Sequence, residues 1–103
     1  MNMDKWADYL VSGVRSNVGQ TRVTVLQIHS DFGNIVSETL IISRADVISK
    51  IKSGCRYATV FKTAIGKWRK GEDVHVVTIN GEDYLRTDTK NVPSDNFDEV
   101  PEF

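Results

Sequence analysis

Asn80-Gly81, set between two runs that alternate apolar and polar side chains, is the tightest constraint on how this chain can fold. A two-residue type I′ turn needs positive φ at both central positions, which asparagine followed by glycine accepts at low steric cost. Such a turn pairs Val77 with Tyr84, Val76 with Leu85, His75 with Arg86 and Val74 with Thr87. Side chains alternate along a strand, so Val74, Val76 and Leu85 share one face, and His75, Val77, Tyr84 and Arg86 share the other. The first face is expected in the core. The second is amphipathic and expected to be partly wet.

Upstream, residues 8–15 and 21–29 are rich in Val, Leu, Ile and Thr and read as extended, with a turn composition at 16–20 between them. A second break at 30–34 precedes an extended run at 35–42. Within that break, Asp31-Phe32-Gly33 has the letters of a kinase metal-binding motif, but the chain is far too short for that fold, and the triplet reads as a turn. Residues 56–65 form a further expected strand, with Tyr57, Thr59, Phe61, Thr63 and Ile65 on one face and Arg56, Ala58, Val60, Lys62 and Ala64 on the other.

One segment reads as a helix. Ser43 is placed to cap it, with Asp46 three residues on, where an acid suits the positive helix end. Val47, Ile48 and Ile51 make the apolar stripe, Lys50 and Lys52 fall in the last turn, and Gly54 suits the left-handed residue after the C-cap. A helix of roughly ten residues is stable only when its stripe packs on a sheet.

These elements predict an α+β domain: a mainly antiparallel sheet of about six strands, one packed helix and an acidic C-terminal tail, since hairpin-length connections are plentiful and long crossovers are not. At 103 residues, 40% hydrophobic and 26% charged, the chain fits one small globular domain over 1–103, with a core at 5–87 and a tail at 88–103. The tail is irregular by composition, with Phe97, Val100 and Phe103 to pin it down.

A net charge of −1 hides a segregation. Residues 44–70 carry eight Lys/Arg and one Asp, whereas residues 71–103 carry two Lys/Arg and nine Asp/Glu. Either the acidic tail folds over the basic segment or both are solvated faces, or else Lys62, Lys67, Arg69 and Lys70 around Trp68 form a basic-aromatic surface for nucleic acid or another polyanion.

Lys67-Trp68-x-Lys70-Gly71, Val74-His75-Val76-Val77, Gly81 with Tyr84-Leu85-Arg86-Thr87, Ser94-Asp95-Asn96 and Pro101-Glu102-Phe103 follow in order. This pattern resembles a small, mainly bacterial family catalogued as a domain of unknown function, whose members end in Asp-Asn-Leu and Pro-Glu-Phe. Here Phe97 stands at the leucine and Val100 departs at another position. The resemblance is specific over 66–103 and implies one compact domain, with no catalytic residues to carry over.

Other chemistry is thin. His29 and His75 are the only histidines, and no spacing resembles a zinc site. Cys55 follows a helix C-cap, where the dipole opposes a thiolate, so it reads as a small half-buried side chain. No catalytic, cofactor or metal set is expected. His75 across from Arg86, with Tyr84 beside them, reads as an ordinary cross-strand surface pair, with a small-anion site as the alternative, and Trp68 reads as a hydrophobic lid at a strand end, with ligand stacking as the alternative. Asp4, Lys5 and Asp8 interrupt any signal-peptide core, and no apolar run approaches the ~18 residues of a membrane span. With a lone cysteine, a cytoplasmic location is expected. The expected role is a non-catalytic binding or assembly module with a protein or small-molecule partner. The alternatives are nucleic-acid or polyanion binding through 62–70 and a small enzyme using His75. Lys67, Trp68, Arg69, Lys70, His75, Tyr84 and Arg86 form the candidate surface.

Overall fold

The computed structural model describes residues 6–16, 23–31, 38–88, 90, 92–97 and 100–103. Most of the expected turns at 16–20 and 30–34, the starts of the runs at 21–29 and 35–42, and parts of the tail lie outside the described residues. Of the Asp31-Phe32-Gly33 triplet only Asp31 is described, buried, with its carboxylate accepting the Trp6 and Ala7 N–H groups at 2.8 and 3.3 Å. Those described form β1 (Tyr9–Ser16), β2 (Val23–Ser30), β3 (Leu40–Ser43), α1 (Arg44–Lys52), β4 (Tyr57–Lys62), β5 (Trp68–Asp73), β6 (His75–Ile79) and β7 (Glu82–Arg86).

The helix follows its local signals. Ser43 Oγ accepts the Asp46 N–H at 3.2 Å. At the other end Gly54 adopts φ +109, and the Cys55 N–H closes on the Lys50 carbonyl at 2.9 Å. Val47 and Ile48 are buried, and Ile51 packs at the margin of the same cluster. The hairpin also keeps its expected register, from His75 opposite Arg86 to Ile79 opposite Glu82, with Asn80 at φ 52 and Gly81 at φ 80.

The sheet departs from expectation. Instead of one mainly antiparallel sheet of about six strands, five strands run in the order β3-β2-β1-β4-β5, and β6-β7 form a separate two-stranded sheet. β4 lies parallel to β1, while the other pairs are antiparallel. The meander β1–β2–β3 walks to one edge, and α1 then carries the chain back across the sheet to the far side of β1. A nine-residue helix is enough of a crossover to bring β4 in parallel.

The expected strand at 56–65 ends at Lys62, because the chain turns through Gly66 at φ +82 with the Thr63 N–H donating to the Lys67 carbonyl at 2.7 Å. Thr63, Ala64 and Ile65 therefore leave the sheet, and β5 begins at Trp68. Little in Trp-Arg-Lys-Gly-Glu-Asp favours a strand; pairing along the β4 edge recruits it. Gly71 is part of that fit. A Cβ there would sit 2.2 Å from Thr59 Oγ1 and 2.5 Å from the Phe61 ring.

The two faces of the sheet differ. On one, Val11, Val14, Leu26, Ile28 and Tyr57 pack with Val47, Val74, Leu85 and Val100, so the helix, hairpin and tail all cover this side. On the other, Ala7, Leu10, Ala58 and Val60 form a smaller cluster under Trp6 and Trp68. β4 accompanies β1 only over Tyr9 to Val11. Beyond that split, residues 101–103 take its place: the Val14 N–H donates to the Pro101 carbonyl at 3.0 Å, and the Phe103 N–H to the Val14 carbonyl at 3.1 Å.

The hairpin face expected to be partly wet is largely covered. Tyr84 is 7% exposed and Arg86 3%. Arg86 donates to both oxygens of Asp88, at 2.6 and 3.0 Å, and to the Ser94 carbonyl at 2.7 Å. The tail supplies these acceptors, which is what permits a guanidinium to be buried there.

Candidate functional site

A groove of about 590 Å³ lies at the strand split. Both strands are irregular beside it. The β1–β2 register shifts between Val11 and Gly13, and the β4–β5 register shifts between Ala58 and Val60. Ser12 shares the face of Leu10 and lines the groove, where its Oγ lies 2.8 Å from His29 Nε2. Gly13 keeps the neighbouring space clear: a Cβ would stand 3.1 Å from both Gln27 Oε1 and Phe103 Cδ1.

Flat apolar surface comes from Val60, Trp68 and Pro101, and polar edges come from Ser12, Gln27, His29 and Thr39, with Lys62 at one end. Phe61 borders the groove while its side chain packs with the cluster on the opposite face. The Trp68 ring is half-buried, backed by the Leu10–Ala58–Val60 cluster, tilted against His29 at 5.2 Å, and capped by Lys62 Nζ at 5.1 Å from its centroid. His29 itself is buried at 5% exposure. The arrangement suits a flat ligand with hydrogen-bonding edges, and the volume falls within the several-hundred-Å³ range of small-molecule sites.

The candidate surface expected from sequence divides in two. Lys67, Trp68, Arg69 and Lys70 lie at the β4–β5 turn and along β5. Lys67 and Arg69 are exposed, and Lys70 pairs with Asp73 at 3.1 Å. His75, Tyr84 and Arg86 lie in the hairpin, which packs on the other face of the sheet. His75 does stand opposite Arg86, but that guanidinium is already held by Asp88, whose carboxyl it depresses to about 2. The tail thus fills the alternative anion site with its own carboxylate.

The groove residues Ser12, Gln27, His29, Thr39 and Pro101 are not legible as a set in the sequence, being spread over ninety positions and four separate segments. One signal was present: Ser12-Gly13 interrupts the apolar run of the first strand, and a small residue inside a strand marks a bulge or a close approach. Among the described residues no group of three or more His, Cys, Asp or Glu is arranged to hold a metal. Among them, too, no helix is long and apolar enough to cross a membrane.

No family model, no curated protein and no solved structure matches this chain.

Proposed function

We propose that the protein is a non-catalytic binding module whose ligand occupies the groove at the strand split. The observation that carries this reading is the convergence of Trp68 and Pro101 as flat walls with Ser12, Gln27 and His29 as polar edges in one concavity. A mostly apolar cleft with a few placed polar groups is the usual form of a small-molecule site. The test is a fragment screen read by assigned two-dimensional NMR. Fragments with a ring and a hydrogen-bonding edge are expected to shift the Trp68 indole and Gln27 amide signals together. Binding that maps consistently elsewhere, or no binding at millimolar concentration, removes the reading.

A second reading, polyanion binding through 62–70, gains from the position of the tail. Its carboxylates at Asp88 and Asp95 are held by Arg86 and by Arg44 at the start of the basic stretch, and not by residues 62–70. Among the described residues, Lys62, Lys67 and Arg69 form no ion pair. An enzyme built on His75 has the least support, because the arginine facing it is engaged in holding the tail.

A further inference from the structure

Lys62 is the one cationic side chain in the lining of the groove; it closes one end over the Trp68 ring, and the chain continues from it through Lys67 to Arg69. A ligand with one anionic group therefore gains by placing it at Lys62.

Between the ends, the walls and edges call for a particular kind of ring. Trp68 offers π surface, and the Gln27 side chain carries an acceptor and donors side by side. That amide is the group that pairs bidentately with the ring nitrogen and exocyclic amine of a purine. Ser12 and His29, 2.8 Å apart, add a second donor–acceptor edge. A hydrogen-bonding heterocycle joined to a phosphate matches the walls, the edge and the basic end together.

We propose that the groove receives a single unpaired nucleotide, with its base against Trp68 and read by Gln27, and its phosphate held by Lys62 and Lys67. This rests on the groove being the ligand site. Lys62 is a long, flexible side chain, so it can leave the ring face to the base and follow the phosphate. The nucleotide is either free or part of a single strand, and the two sources share this chemistry.

The test titrates isotope-labelled full-length protein with adenosine monophosphate, adenosine, ribose 5-phosphate and an eight-residue single-stranded oligoadenylate. Adenosine monophosphate is expected to shift the Trp68 indole and Gln27 amide signals, adenosine to do so more weakly, and ribose 5-phosphate to leave both in place. Trp68→Ala should weaken binding about tenfold or more through the lost stack. Lys62→Glu with Lys67→Glu, both at exposed positions that leave the core intact, should do the same if Trp68→Ala does not fold. Raising salt from about 50 to 200 mM should weaken oligonucleotide binding roughly tenfold as a few counterions are released. Oligoadenylate binding tighter than the monophosphate by more than about tenfold identifies a strand as the source; equal affinity per site identifies the free nucleotide. The proposal is overturned if nucleotides leave the groove signals unmoved while uncharged ring fragments shift them, an outcome that keeps the groove as a ligand site. It is overturned together with the binding-module reading if nothing moves those signals. Shifts confined to Lys67 and Arg69, insensitive to both variants, overturn it as mere surface charge.

Discussion

Asp95 closes on Arg44 with both carboxylate oxygens, at 2.8 Å to Nε and 3.0 Å to a terminal nitrogen. The same carboxylate also accepts the backbone N–H groups of Val23, at 2.7 Å, and Leu85, at 2.9 Å. One tail residue with a 2% exposed side chain thus ties together the start of β2, the start of α1 and the middle of β7. Four donors compensate for burying the charge, and they explain why an acidic segment belongs to the folded body.

Asp95→Ala should be among the most destabilising substitutions outside the apolar core. It leaves a half-buried guanidinium and two backbone donors without their acceptor, at a cost of about 3 kcal/mol or more. Urea unfolding of the variant is the check; a loss below about 1 kcal/mol would mean the tail can be released cheaply.

The Arg86–Asp88 pair predicts a pH signature. The Arg86 guanidinium lowers the Asp88 carboxyl from its ordinary 3.8 to about 2. A depressed folded-state value contributes stability above 3.8 that is lost as pH falls through about 2. Lys52, donating to Asp83 at 2.6 Å, lowers that carboxyl in the same direction. Melting temperatures of wild type and Asp88→Asn should differ near neutral pH and converge as pH falls toward 2. A gap that stays constant with pH would show that the pair does not act through charge.

At the alkaline end the direction is set by Tyr57, whose phenol is raised above its ordinary 10.0, chiefly by burial. The folded state holds that proton where the unfolded chain releases it, so stability should fall as pH rises above 10.0. Tyr57→Phe should flatten this decline and lose little at neutral pH, because the hydroxyl is buried without a hydrogen-bond partner. An unchanged alkaline profile in Tyr57→Phe would assign the decline to other groups.

Gly71→Ala should cost about 1–3 kcal/mol through overpacking against Thr59 and Phe61. Thermal unfolding of Gly71→Ala beside Gly71→Ala/Phe61→Leu separates the causes. Partial recovery in the double variant points to the ring, and none to the closer Thr59 hydroxyl.

For the helix, Ser43→Ala should cost about 1 kcal/mol and Ile48→Ala about 2–4, with Ile51→Ala below Ile48→Ala because it packs only at the margin. A reversed order in denaturant unfolding would place the helix in a different rotation on the sheet.

What the sequence determined by itself is local. Ser43 caps α1 through a bond three residues away, Gly54 ends it through its own left-handed φ, and Asn80-Gly81 sets the β6–β7 register by requiring positive φ at two adjacent positions. Each depends on backbone geometry within a few residues, so composition at those positions is enough. Tertiary structure alone decided the rest. The parallel β1–β4 pairing and the meeting of Ser12, His29 and Trp68 join segments far apart in the chain, and the strand made of Trp68–Asp73 and the burial of Arg86 under the tail depend on the edge or the acceptors that another segment offers. Such contacts leave no periodicity or cap to read. They arise only where the folded sheet brings those segments side by side, and the groove lies where β4 stops accompanying β1 after Val11.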